Sequence, residues 1–82
     1  MEYSVGDKII FDKKYVKSYG NGKYTTKNAN GWVEKWLVGR VATITEKRKA
    51  ELGNFYWYYI DIPDTHGYDE ALFSKVDVLV EL

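Results

Sequence analysis

Hydrophobic and polar residues alternate along much of this chain, which is the pattern of β-strands with one buried face. Val5, Ile9 and Phe11 occupy odd-numbered positions and predict a first strand. Residues 37–45 (LVGRVATIT) are rich in β-branched side chains and predict a second strand. The apolar positions change parity within that segment. Since Gly39 has the backbone freedom that a β-bulge needs, we expect a bulge near it.

A long hairpin is expected in the middle of the chain. Residues 54–62 (NFYWYYIDI) are dense in aromatic and β-branched side chains and predict its second strand. Pro63 ends this strand, because proline cannot donate to a ladder. Residues 45–53 (TEKRKAELG) have the composition of a two-turn helix but lack the wide apolar stripe of an amphipathic one. A charged hairpin tip is therefore favoured over a helix.

The pattern is less regular on either side of this hairpin. Residues 12–36 scatter Gly and Asn among Lys, Tyr and Thr, which predicts either a flexible functional loop or a distorted hairpin with a tight Asn-Gly turn. Later in the chain, Ser74 and Asp77 have the spacing of a helix-capping pair. One short helical turn is expected there, before a closing strand over residues 78–82.

Composition favours one small domain, residues 1–82, because a second domain would lack a core of its own. Aromatic residues make up 17% of the sequence, enough to build a core in a short chain. There is no cysteine, no secretory signal is visible at the start, and no apolar run approaches the ~18 residues of a membrane span. We expect a cytoplasmic location and no membrane partner.

Charge is divided unevenly along the chain although the total is zero. Residues 1–49 hold eleven Lys/Arg and five Asp/Glu, a net +6, whereas residues 50–82 hold one and seven, a net −6. Such asymmetry indicates either an acidic or basic interaction face, or two parts whose charges interleave on the folded surface.

Four segments together resemble a small β-barrel family. VGDKIIF, VGRVATIT, YYIDIPD and FSKVDVLVEL are similar to the SH3-like barrels of small phage and prophage proteins, in which a Gly-Asp turn opens the first strand and one helical turn precedes the last. The resemblance implies an all-β fold: an SH3-like barrel of about five strands with a long first loop and one short helical turn before the last strand. It implies binding without chemistry, and it specifies no ligand.

Aromatic side chains occupy both faces of the strand predicted over residues 54–62. The even-numbered positions end in isoleucines, so we expect their side chains to face the core: Tyr56, Tyr58, Ile60 and Ile62. The opposite parity points outward, as rigid protein-binding hot spots do. Together with rings of the long segment, the candidate partner-binding residues are Phe55, Trp57, Tyr59, Trp32, Trp36, Tyr19 and Tyr24. The alternative is that residues 12–36 fold over this face and bury the rings beneath Trp32 and Trp36.

Basic residues of the long segment form a second candidate site. They alternate with tyrosines, as in proteins that track a nucleic-acid backbone, and comprise Lys13, Lys14, Lys17, Lys23 and Lys27. The sequence pI near 6.6 is below the value above about 9 that is typical of nucleic-acid-binding domains. A solvated Lys-Tyr hairpin is therefore the favoured interpretation.

The residues present give little support for a metal site or for catalysis. The one cluster of titratable groups comprises Asp61, Asp64, His66 and Asp69. A zinc site needs more His or Cys ligands than this single His supplies, and Asp and His are ordinary residues of turns. No serine has a base and an acid placed beside it in the sequence. We expect no metal, no cofactor and no enzymatic activity.

The leading hypothesis is a non-enzymatic protein-binding module of phage or prophage type, acting through its aromatic residues as a monomer or small homo-oligomer. One alternative is a nucleic-acid-binding barrel that uses the Lys/Tyr segment. Another is a phage inhibitor of a host nuclease or defence complex, in which the acidic residues 61–81 imitate nucleic acid.

Overall fold

Short antiparallel strands dominate the fold. The computed structural model describes residues 2–76. The strands of this part of the chain are β1 (Lys8–Ile10), β2 (Val16–Lys17), β3 (Lys23–Thr25), β4 (Val33–Glu34), β5 (Val41–Lys49), β6 (Tyr56–Ile60) and β7 (Ser74–Lys75). Two single 3₁₀ turns, Lys35–Leu37 and Glu70–Leu72, are its helical elements. No helix within residues 2–76 is long and apolar enough to cross a membrane. The prediction of an all-β fold is confirmed.

The strands form two antiparallel sheets. The larger has the order β6-β5-β1-β7, and the smaller has the order β2-β3-β4. Strand pairing does not close the two sheets into one barrel within the described residues. Of the two alternatives expected for residues 12–36, the structure favours the hairpin over the flexible loop, because β2 pairs with β3 and β3 with β4 in antiparallel register and these residues supply the whole smaller sheet. Strands of two or three residues show too little alternation for sequence patterns to reveal them.

The start of the larger sheet differs from its sequence prediction at two places. Val5 lies in a turn and is 61% exposed, and β1 begins only at Lys8. The second predicted strand also begins late, at Val41. Gly39 does not form a bulge: it has φ +86° in the connection before β5, where its N–H donates to the Phe11 carbonyl at 2.7 Å. The residues before it form the 3₁₀ turn because Leu37 enters the core there.

The β5–β6 hairpin is confirmed, and residues 45–49 are strand rather than helix. The bulge lies within this hairpin, between Ile44 and Glu46. It changes the parity of β5, because Ile44 faces the core whereas Lys47 lies opposite the core residue Tyr58. The apolar parity change within residues 37–44 does not arise from this bulge, because Leu37 is buried in the 3₁₀ turn before β5 and Val41 is 51% exposed. The prediction of a bulge near Gly39 is therefore wrong.

Aromatic rings from distant parts of the chain meet in the core. Phe73 lies at its centre, with its ring centroid 5.0 Å from that of Tyr3, 5.7 Å from Tyr58 and 5.8 Å from Phe11. Edge-to-face pairs at such distances add stabilisation beyond their buried area. The buried core cluster comprises Tyr3, Ile9, Phe11, Val33, Leu37, Ala42, Ile44, Tyr58, Ile60, Tyr68, Leu72 and Phe73. The predicted core-facing set is confirmed, since Tyr58 and Ile60 are buried and Tyr56 and Ile62 pack against the cluster.

A short helical turn precedes the last described strand, but its cap is not the predicted one. Asp69 is the N-cap of the turn Glu70–Leu72, and its side chain accepts from the Ala71 N–H. Ser74, the predicted cap, lies in β7 and pairs with Ile10. Asp77 and the closing strand expected over residues 78–82 lie outside the described residues.

Candidate partner-binding face

The side of the β5–β6 hairpin that faces away from the core carries a row of rings. Trp57 and Tyr59 alternate along β6 with the buried Tyr58, and the register places Arg48 opposite Trp57 and Glu46 opposite Tyr59. Residues directly opposite in an antiparallel pair share a face. Phe55 continues the row, with its ring in edge contact with Trp57 at 4.9 Å between centroids. We call this surface the outer face and define it by Glu46, Arg48, Phe55, Trp57 and Tyr59.

The rings of the outer face are half-buried, not freely exposed as the sequence suggested. Two glycines let backbone segments lie directly on them. A Cβ added to Gly67 would lie 2.9 Å from Trp57 Cβ and 3.0 Å from Tyr59 Cζ, and one added to Gly31 would lie 3.4 Å from the Trp57 ring. The alternative in which residues 12–36 cover this face is therefore correct for the segment around Gly31.

Two grooves remain open on the outer face. One of about 260 Å³ is lined by Gly31, Trp32, Trp57, Tyr59, His66 and Gly67. Another of about 570 Å³ extends to the hairpin tip and is lined by Arg48, Lys49, Ala50, Glu51, Leu52, Phe55, Trp57 and Tyr59. Both share Trp57 and Tyr59, so they form one continuous surface. Leu52 stands at its tip and is 86% exposed.

A polar network holds Trp32 at one end of this surface. The His66 ring contacts both Trp32 and Tyr68 in tilted orientations, at centroid distances of 4.5 and 4.1 Å. Its Nε2 lies 2.9 Å from the Trp32 carbonyl, which only accepts, so Nε2 is the donor. The Tyr68 hydroxyl donates to the Glu34 carboxylate. The pKa of Tyr68 is raised, mainly because the phenol is buried and also because it lies beside that carboxylate. The network thus fixes Trp32 relative to the buried Tyr68.

The other predicted aromatic residues do not join the outer face. Trp36 is 46% exposed and lies beside Arg40, whose guanidinium is 5.7 Å from the ring centroid. Tyr19 is 77% exposed near the β2–β3 turn. Tyr24 packs against the core. None of these three lines either groove, so Trp32 alone of the four predicted rings from residues 12–36 lines the outer-face grooves.

The five predicted lysines do not form one stripe. Lys17 lies opposite Tyr24 and Lys23 lies opposite Glu34, which places the two lysines on opposite faces of the smaller sheet. Lys23 Nζ lies 4.7 Å above the Trp32 ring and 5.7 Å from the Tyr19 ring centroid. The remaining three are exposed in connecting segments: Lys13, Lys14 and Lys27.

The acidic cluster is dispersed among separate structural roles. Asp61 accepts from the Thr43 N–H at 2.9 Å, and Asp69 accepts from the backbone and side chain of Asn30 at 2.7 and 3.0 Å. Asp64 has φ +62°, a turn conformation that Asp tolerates. No group of three or more His, Cys, Asp or Glu within residues 2–76 could hold a metal ion.

Sequence reasoning missed the residues that shape the grooves. Local patterns do not reveal that Gly31 lies against the Trp57 ring or that Gly67 lies against Trp57 Cβ and the Tyr59 ring. Leu52 lies in the expected charged tip, and the available signal was a large apolar side chain at a position where a tip is exposed. Which backbone covers which strand is set by long-range packing, so local patterns do not reveal it.

The sequence matches no protein-family model, and no curated protein or solved structure matches it. Its function is therefore inferred from the burial, contacts and charges of its own residues.

Proposed function

We propose that this chain is a non-enzymatic protein-binding module that acts through the outer face of its β5–β6 hairpin. The observation that carries the proposal is the continuity of the two grooves over Trp57 and Tyr59, with the exposed Leu52 at one end and Trp32 at the other. Aromatic residues packed in place lose little entropy on binding, which is why they dominate interface hot spots. A partner would add contacts to rings that are already fixed.

The charges of the outer face favour a protein over a polyanion. Arg48 forms an ion pair with Glu46 on the same face and also lies over the Tyr59 ring, 5.7 Å from its centroid. The groove that extends to the hairpin tip is lined by one further cation, Lys49, and one further anion, Glu51. This balance gives no net attraction for phosphates, whereas apolar surface flanked by paired charges is typical of protein interfaces.

We also propose an SH3-like arrangement of the strands, of the kind found in small phage and prophage proteins, acting in the cytoplasm. Three features support it. The single 3₁₀ turn Glu70–Leu72 directly precedes β7, β7 pairs with β1 in antiparallel register, and a Gly-Asp turn leads into β1. Isolated pairing between Tyr58 and Tyr68 also extends the larger sheet beyond β6.

Two surface variants test the binding face without touching the core. Leu52→Asp places a charge at the exposed tip of the outer face, and Val5→Asp makes the same change at another exposed apolar site, 61% accessible, that lines neither groove. A tagged chain is used to isolate its partner from the source cells, and the affinity of the purified partner is measured by calorimetry. We expect Leu52→Asp to weaken binding at least tenfold, about 1.4 kcal/mol, with Val5→Asp near wild type.

Circular dichroism and urea unfolding serve as the control that both variants stay folded, because exposed substitutions change stability by only about 0.5 kcal/mol. Equal binding by both variants, or a larger loss from Val5→Asp, would place the interface elsewhere and refute the assignment to the outer face.

A further inference from the structure

A further groove lies away from the outer face, between the smaller sheet and the first 3₁₀ turn. It has a volume of about 420 Å³ and is lined by Tyr15, Tyr24, Lys35 and Val38. Lys35 and Val38 are three residues apart around the 3₁₀ turn, which places them on the same side, and the Val38 N–H donates to the Lys35 carbonyl at 3.1 Å. The Tyr15 hydroxyl donates to the Leu72 carbonyl, so this wall is fixed to the core.

Two of the three segments that line this groove are strongly basic. Residues 12–17 and 35–40 together contain one carboxylate, Asp12. Their five cations are Lys13, Lys14, Lys17, Lys35 and Arg40. Lys35 lines the groove, and Lys17 lies directly opposite the groove residue Tyr24 on the same face. No ion pair joins any of the five to a carboxylate within residues 2–76.

Aromatic rings accompany these cations. Tyr15 and Tyr24 line the groove, and Trp36 follows Lys35 in the 3₁₀ turn with 46% of its surface exposed. The Arg40 guanidinium lies 5.7 Å from the centroid of the Trp36 ring. Cations that follow a backbone, interleaved with rings that stack on bases, are what sequence-tolerant single-strand binding requires.

We propose that this basic groove, lined by Tyr15, Tyr24, Lys35 and Val38, binds single-stranded nucleic acid together with the Trp36–Arg40 pair that follows Lys35 in the chain. Lys17, Lys35 and Arg40 contact phosphates, and a base stacks on the open part of Trp36. The zero net charge of the chain does not oppose this, because salt screens charges beyond about 8 Å and the groove experiences only its own cations. The proposal is independent of the protein-binding function assigned to the outer face.

Fluorescence anisotropy with a labelled oligothymidine of about 12 nucleotides tests the proposal, since single-strand sites span about 4–16 nucleotides. The matched pair of variants is Lys35→Glu, in the groove, and Lys75→Glu, an exposed lysine of β7 that lies outside it. We expect Lys35→Glu and Trp36→Ala each to weaken binding at least tenfold, and Lys75→Glu to weaken it less than threefold. The slope of log affinity against log salt should become shallower by about 0.7 for Lys35→Glu, as one phosphate contact is lost.

Three results would overturn the proposal. One is no measurable binding of the oligothymidine by the wild-type chain at 50 mM salt. A second is equal weakening by Lys35→Glu and Lys75→Glu, which would reduce the effect to net charge. A third is binding of a labelled poly-glutamate peptide as tight as that of the oligothymidine and unaffected by Trp36→Ala, which would make the groove a general anion site for acidic protein segments. Circular dichroism of each variant confirms that the chain remains folded.

Discussion

Gly67 has no side chain, and the space that one would fill is occupied by Trp57 Cβ and the ring of Tyr59. Its φ is not in the left-handed region, so the residue is required by this close approach and not by its backbone conformation. Gly31 approaches the Trp57 ring from another segment, at an ordinary contact distance for an added Cβ. At the scale of single residues, the outer face therefore requires a glycine at position 67 as well as the aromatic rings.

Replacing Gly67 tests this close approach. We expect Gly67→Ala to lower the free energy of unfolding by about 1–3 kcal/mol, because the added Cβ overlaps Trp57 Cβ and the Tyr59 ring. Urea unfolding of Gly67→Ala, Tyr59→Ala and the double variant measures the coupling. The loss from Gly67→Ala should be smaller in the Tyr59→Ala background. Full additivity would show that the two residues do not press on each other.

At the scale of elements, the hairpin shows what local patterns reveal. The alternation of Tyr58 and Ile60 with Trp57 and Tyr59 correctly predicted which side of β6 faces the core. The bulge was misplaced, because Gly39 was the residue best suited to an irregular backbone, whereas the register shift occurs at Thr45 in the middle of β5. Propensity indicates where a bulge is tolerated, and pairing with β6 decides where it occurs.

The smaller sheet shows where sequence reasoning ended. Its strands β2, β3 and β4 have only two or three residues each, so neither their periodicity nor their pairing could be read in advance. Val33 enters the core and Trp32 meets the outer face only because β4 is held against the rest of the molecule. The outward rings of residues 55–59 were thus predictable from alternation, but which ring of residues 12–36 joins the hairpin was not.

Asp69 links two elements and provides a test at this scale. Its buried carboxylate caps the turn Glu70–Leu72 and accepts from both the backbone and the side-chain nitrogen of Asn30. We expect Asp69→Ala to lower the free energy of unfolding by about 2–3 kcal/mol, since three N–H donors lose their buried, charged acceptor. Urea unfolding measures this, with Glu51→Ala at the exposed hairpin tip as the control. A loss for Asp69→Ala no larger than the control's would contradict the linking role.

At the scale of the whole molecule, the core depends on buried phenols, and this makes stability depend on alkaline pH. Burial raises the pKa of Tyr15 to about 12, and burial raises the pKa of Tyr3 and of Tyr68 above the usual value of 10.0. Below pH 10 these phenols are protonated in both the folded and the unfolded chain. Above pH 10 the unfolded chain ionises first, so the free energy of unfolding falls as the pH rises.

Urea unfolding between pH 8 and pH 12 tests this expectation. The wild-type free energy of unfolding should be insensitive to these phenols up to about pH 10 and should then decrease steadily. Tyr68→Phe should reduce the steepness of that decrease, whereas Tyr19→Phe, which removes a hydroxyl from a ring that is 77% exposed, should preserve it. A Tyr68→Phe profile as steep as wild type would show that Tyr68 does not resist ionisation in the folded chain.

The most direct test of the outer face as the protein-binding surface is site-specific photo-crosslinking in the source cells. A benzophenone amino acid replaces Arg48, which lies on the outer face, or Lys75, an exposed residue of β7 that lines neither outer-face groove. The account predicts one defined protein adduct from position 48, none from position 75, and loss of the adduct when Leu52→Asp is added. The same adduct from position 75 alone, or equally from both positions, would contradict the account.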